Sequence, residues 1–207
     1  VLRRIGLLFC ILLASCVVEP NNDTTDSNSG WPPGVELTED SDVEAPLMVG
    51  NTPVTWDECG TRPSYHPCNF ELLDQNGEVF QLYDHYGTAI VLDFSAMWCG
   101  PCRSAAFFTQ EHYDYYIEQD LLYITVLIET ESREIPTVTD AQQWATTYNI
   151  ITAPILVGDR SLLESSGGTW RLSGWPSFYL INREMEMYMI YRGWSEEYLF
   201  DYIDDLL

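Results

Sequence analysis

From Asn69 onward, apolar residues gather into a few short runs, and their spacing says which element each run makes. "AIVLDFSA" (89–96) is almost unbroken apolar sequence with a single acid inside it, the pattern of a central strand buried on both faces. "LLYITVLIE" (121–129) predicts a second buried strand, and the stretch between them, from Pro101 to about Glu118, has the length and spacing of a helix. "NFELLDQNGEVFQLYDHYG" predicts a hairpin that turns at Asn76-Gly77. Thr139 or Asp140 can cap a helix running to about Tyr148, with Gln142 and Gln143 placed for a capping box. "APILVGD" (153–159) predicts a short strand, and 160–173 a Gly/Ser-interrupted connection with one helical turn. "SFYLIN" and "EMYMIYRGW" predict an antiparallel pair, and Ser195 is placed to cap a last helix to Leu207. The order β-β-β-α-β-α-β-β-β-α implies an α/β domain over 56–207 with a mixed sheet flanked by helices and an N-terminal β-hairpin.

The chain before that domain has a different character. "VLRRIGLLFCILLASC" places Arg3 and Arg4 before a short apolar run that ends in small residues at Cys16. The run is far shorter than the ~20 residues that span a bilayer, which suits a secretory signal. "Leu13-Ala14-Ser15-Cys16" resembles a bacterial lipobox, which implies removal of residues 1–15 and a lipid anchor on Cys16 in the bacterial cell envelope. Val17 after that cysteine, in place of Asp, favours the outer membrane, with the domain facing the periplasm or the cell exterior. Residues 16–55, rich in Asn, Asp, Ser, Thr, Gly and Pro, read as an acidic flexible tether. No internal repeat and no second domain is visible.

Charge narrows the partners. The formal net charge is −23, and all nine basic residues are Arg. So acidic a surface repels phosphate backbones, which disfavours nucleic acid, and it keeps a monomer soluble. Of six cysteines, Cys59, Cys68, Cys99 and Cys102 remain once the signal and the lipidated Cys16 are set aside, an even number that suits an oxidising compartment.

"SAMWCGPCRSA" (95–105) carries the chemistry. A C-x-x-C can bind zinc, form an inert bridge or do redox work. Structural zinc needs four ligands and there is no second C-x-x-C or H-x₃₋₅-H to complete them. A bridge across two residues removes little chain entropy. The motif instead falls where a buried strand meets a helix, and there helix N–H groups favour a thiolate at Cys99. Cys102, one turn further in, is the resolving thiol. Pro101 fits the first turn, where its missing N–H costs nothing. Asp93, an acid in an apolar strand, is either a solvated edge residue or a buried proton carrier.

"AIVLDFSAMWCGPCRSA" resembles the active-site segment of thioredoxin-fold proteins, and "SGWPSFYLIN" resembles that fold's Gly-x-Pro signature. The hairpin and the long connection are most similar to the TlpA/ResA-like branch of extracytoplasmic thiol–disulfide oxidoreductases. The resemblance implies that Pro176 is cis, faces the cysteines and offers backbone to an incoming chain. It also implies that Asp93 assists proton transfer at the resolving thiol, and that Trp98, Gly100, Pro101 and Trp175 line the substrate groove. Trp175 is bulkier than the residue usual there, and so narrows access or simply packs in the core. Arg103 stands where many relatives carry Lys and is read as solvated. No cofactor is implied. The partners are a disulfide-containing client and a membrane electron donor for recycling, and the Gly-Pro dipeptide favours reduction over oxidation of the client.

Two other functions compete. A thiol peroxidase resembling this fold has Thr three residues before its Cys, where Ala96 stands here, and a Pro further upstream where Leu92 stands. A copper metallochaperone would suit paired thiolates, but the related copper proteins use C-x₃-C and add a His. Cys59 and Cys68 enclose "GTRPSYHP", a sound loop for a structural disulfide, with a second redox pair or a metal site using His66 as alternatives. His85 and His112 are expected at the surface or in the hairpin, with no role.

Overall fold

The structure is a computed structural model that describes residues 56–207 and two short paired strands, β1 (Met48–Val49) and β2 (Thr52–Pro53). The signal (1–15) and Cys16 lie outside the described residues, as does most of the 16–55 segment. The β1–β2 pair sits within the segment expected as tether, so that segment is not featureless near its end.

Seven strands form one mixed sheet in the order β4-β3-β7-β6-β5-β8-β9. The hairpin is β3 (Glu71–Asp74) and β4 (Val79–Gln81). Gly77, at φ +81, makes its turn possible, and the Asp74 carboxylate accepts the N–H groups of Asn76 and Glu78. At the centre stands β5 (Ala89–Ala96), all eight residues buried, parallel to β6 (Leu121–Glu129) and antiparallel to β8 (Ser177–Ile181). β7 (Ile155–Val157) continues the parallel part, and β9 (Met187–Arg192) closes the antiparallel side. Both inner strands span the residues that their apolar runs predict.

Three helices complete the fold: α1 (Gly100–Tyr116), α2 (Val138–Tyr148) and α3 (Glu196–Leu206). Strand alternation divides the core. Ala89 and Val91 of β5, with Tyr123 of β6 and Phe178 of β8, pack under α1 and α3, while Leu127 and Ile155 pack with α2. Ile90, Leu92 and Phe94 point the other way, against Phe70, Phe80, Leu163 and Trp170. No residue of α1, α2 or α3 joins that second cluster, so the three helices lie on one face, and loops and short 3-10 turns cover the other. The connection 160–173 holds two 3-10 turns, at 160–162 and 164–166, rather than one turn.

Two details of capping depart from the sequence expectation. α2 starts earlier: Thr137 is its N-cap, and Asp140 completes the capping box in place of Gln142 or Gln143. Ser195 is the N-cap of α3 but makes no side-chain cap bond. Cys59 and Cys68 form a disulfide. Their loop is tied through Ser64 and Tyr65 to Met187, at the end of the β8–β9 pair remote from Pro176.

Candidate active site

β5 is paired on both sides and buried on both faces, so its last residue delivers the chain to a fixed point at the sheet's C-terminal edge. Met97 N–H still donates to the Glu129 carbonyl, and α1 starts three residues later. Cys99 is the N-cap of α1 and Cys102 lies in its first turn. The two are joined by a disulfide with Cα atoms 5.2 Å apart. Cys99 is 3% exposed and Cys102 fully buried, whereas Gly100 and Pro101 between them are exposed. The Cys102 N–H points at Cys99 Sγ, 3.1 Å away. That donor comes from one of the first helical turns' unpaired N–H groups, so any negative charge on Cys99 falls where the helix favours it.

Asp93 is not at an exposed edge. It lies on central β5 with 1% of its surface exposed, on the same sheet face as the α1 side of the core. Burial lifts its carboxyl to about 7, against a downward pull from Ser95, whose Oγ–H reaches both carboxylate oxygens at 2.8 and 3.0 Å. An acid so placed holds or releases a proton near neutrality, on the face of the sheet that α1 covers.

The Trp175–Pro176 peptide bond is cis. Pro176 has no N–H, and its carbonyl accepts from Gly193 at 2.9 Å. The neighbouring Trp175 N–H and C=O have no backbone partner among the described residues. The Trp175 side chain packs beside the cluster that contains both cysteines, and its ring meets Trp98 edge-on with centroids 5.9 Å apart.

Trp98 is held by residues that the sequence reading did not single out. Its Nε1–H donates to Glu129 Oε2 at 2.7 Å, and the buried Glu129 carboxylate is also paired with Arg160. The Arg133 guanidinium lies over the Trp98 ring, 4.6 Å from its centroid. In the sequence Glu129 is one acid at the end of an apolar strand, and nothing there marks its place beside the cysteine motif. Arg103 is exposed and paired with Glu131 at 3.1 Å. His112 is not a surface residue: it is fully buried on α1, and burial lowers its ring to about 4. His85 is half-buried and stacked on Phe80, and its ring too is lowered by burial. His66 gives Nδ1 to the Met185 carbonyl contact at 2.8 Å, and no cluster of metal-ligating side chains occurs among the described residues.

Comparison with known proteins gives the family and the fold. The family model described as the AhpC/TSA family matches residues 66–190. The thiol-disulfide oxidoreductase ResA of Bacillus subtilis is 24% identical over 137 residues, covering 66% of this chain and 71% of that protein. Among solved structures, a thiol:disulfide interchange protein of the thioredoxin family from Chlorobium tepidum superposes with a TM-score of 0.57 at 19% identity, over 70% of this chain and 95% of that one. The pneumococcal exposed lipoprotein thioredoxin from Streptococcus pneumoniae superposes with a TM-score of 0.54 at 23% identity, over 67% of this chain and all of that one (100%). The fold is thioredoxin-like.

Proposed function

This chain belongs to the AhpC/TSA family and is a thiol–disulfide oxidoreductase, and from that premise we propose that it reduces client disulfides through a Cys99/Cys102 cycle at the cell envelope. The observation that carries the reading is the Cys99–Cys102 pair at the N-terminus of α1, with one sulfur facing a helix N–H.

In the reduced protein, Cys99 is the thiolate, stabilised by the Cys102 N–H and the start of α1. It attacks one sulfur of the client disulfide, forming a mixed disulfide and expelling the other client sulfur as a thiolate. Cys102 then loses its proton to the Asp93 carboxylate and attacks Cys99 Sγ, closing the intramolecular bond and releasing the second client thiolate. The Asp93 proton and one from water leave the client with two thiols. A membrane electron donor returns two electrons, with two protons, to reopen the pair. The client's extended backbone pairs with the free N–H and C=O of Trp175, and Trp98, Gly100, Pro101 and Trp175 form the walls it meets. A lipid anchor on Cys16, in the outer membrane, holds the domain in the periplasm or at the cell exterior.

Insulin-disulfide reduction by the purified chain tests the cycle. Cys99→Ser is expected to abolish it, and Cys102→Ser to accumulate a mixed disulfide visible on a non-reducing gel. Activity retained in Cys99→Ser would overturn the mechanism. The direction is tested by the reduction potential: a value near the thioredoxin end, about −270 mV, is expected, and one near about −120 mV would make the protein an oxidant. The family match makes hydrogen peroxide the rival substrate, and turnover of peroxide faster than of insulin would assign a peroxidase instead.

A further inference from the structure

The layer between α1 and the sheet should be dry, because apolar residues make up most of it, yet six polar side chains meet there. Asp93 and Ser95 come from β5, Tyr123 and Thr125 from β6, and Thr109 and His112 from α1; none is more than 1% exposed. Thr125 is the register partner of Asp93 on the neighbouring parallel strand, so the two point to the same face. Tyr123 lies two residues back on that face, close enough to Asp93 for the carboxylate charge to oppose its ionisation. The Thr109 hydroxyl faces the Tyr123 hydroxyl without the geometry of a hydrogen bond. The His112 ring meets the Tyr123 ring with centroids 5.9 Å apart.

Only the Ser95–Asp93 pair is satisfied within the protein. Thr109 Oγ1, Tyr123 OH, Thr125 Oγ1 and both ring nitrogens of His112 are buried with no hydrogen-bond partner among the described residues. Buried polar atoms are almost always paired, and five such atoms in one layer are too many to leave unexplained. Each costs stability unless something small and polar reaches it. A buried water needs two to four polar partners, which this set of donors and acceptors provides.

We propose that this layer is a built-in hydration site, in which buried waters join Thr125, Tyr123, Thr109 and His112 to the Asp93 carboxyl. Thr125, Tyr123 and Thr109 are then positioning residues for the Asp93 proton, since waters they hold donate to the carboxylate and favour its charged form. Of the elements packed against this face, β8 gives Phe178, and α3 gives Leu199, Phe200 and Ile203, none of which titrates. The titratable side chains of the same cluster are Tyr123, with His112 against its ring, buried Tyr116, whose hydroxyl donates to Asp204, and, at the margin, Tyr113, Tyr191 and Tyr202. The consequence for disulfide exchange rests on the role of Asp93 proposed above, but the site itself does not, and its test uses no client.

The purified oxidised chain is labelled with ¹³C at Asp carboxyls, and Asp93 is titrated by NMR, its signal assigned with Asp93→Asn. In Thr125→Val and Tyr123→Phe, which keep volume while removing the hydroxyl, the Asp93 titration is expected to rise by about one unit, the worth of one charge-assisted hydrogen bond. In the unaltered protein, water-to-protein cross-relaxation is expected at the Thr109 and Thr125 methyl groups and the Tyr123 ring. Absence of those cross-peaks in the unaltered protein overturns the site even if neither variant folds. An unchanged Asp93 titration in folded variants, with stability gained because an unsatisfied hydroxyl was removed, overturns it as well. Loss of insulin reduction with the titration shift present would leave the hydration site standing and count only against the proposed role of Asp93.

Discussion

Glu129 has exchanged water for two donors, the Trp98 indole and the Arg160 guanidinium, and thereby fixes the tryptophan beside the reactive pair. Glu129→Ala leaves the indole N–H without its acceptor and Arg160 unpaired. Because Arg160 is itself half-exposed, we expect a loss of about 1–3 kcal/mol in urea unfolding rather than the larger cost of breaking a wholly buried pair. Glu129→Gln, which can still accept from the indole, should recover part of it. At this scale the sequence showed the reacting atoms and hid what holds them. Asp93 was legible because an acid inside an apolar run can only be costly or useful. Glu129 was not, because an acid at a strand end is also the usual way for a strand to reach solvent. His112 could have been placed by helical spacing, since Cys102, Ala105, Thr109, His112 and Tyr116 share the buried stripe of α1.

Among the elements, β5 and β6 could be delimited to the residue because a strand covered on both faces admits almost nothing polar. The start of α2 could not. Thr137, Thr139 and Asp140 can all cap a helix, and only the path of the chain out of the 130–134 turn selects Thr137. Thr137→Ala removes the acceptor for the Asp140 N–H and the hydroxyl's own donation to the Asp140 carboxylate, and is expected to lower stability by about 1 kcal/mol. Thr139→Ala, on the exposed side of the helix, should stay within about 0.5 kcal/mol of the parent in the same thermal or urea measurement. The Trp175–Pro176 junction is a different case: the family resemblance supplied the cis bond, but only the structure shows the Pro176 carbonyl accepting from Gly193 while the Trp175 N–H and C=O have no backbone partner among the described residues.

For the whole molecule, two buried titrants with opposite signs share one layer. Asp93 keeps its proton in the folded state up to about 7, while the unfolded chain releases it from 3.8 upward, so this group's contribution falls as pH rises through that window. His112 stays neutral in the fold down to about 4, while the unfolded chain takes up a proton below 6.5, so its contribution falls as pH drops through that window. Between about 4 and 6.5 the two slopes oppose each other. Relative to the parent, Asp93→Asn should therefore gain stability as pH rises from 4 to 7, by about 4 kcal/mol at most. His112→Leu should gain it as pH falls from 6.5 to 4, by about 3 kcal/mol at most. Urea unfolding of parent and variants at three pH values reads both, and parallel curves would show that neither group is buried as charged chemistry requires.

The burial of all eight β5 residues between two paired strands also orders the molecule in time. Amide protons of β5 should be among the last to exchange with deuterated solvent, while the 160–173 connection and edge strand β9 release theirs early. Cys99 sits past the end of that most protected strand, with exposed Gly100 and Pro101 beside it. Oxidation and reduction can then recur many times within a single lifetime of the closed β5 ladder, so the rate of electron exchange is uncoupled from the rate at which the domain opens.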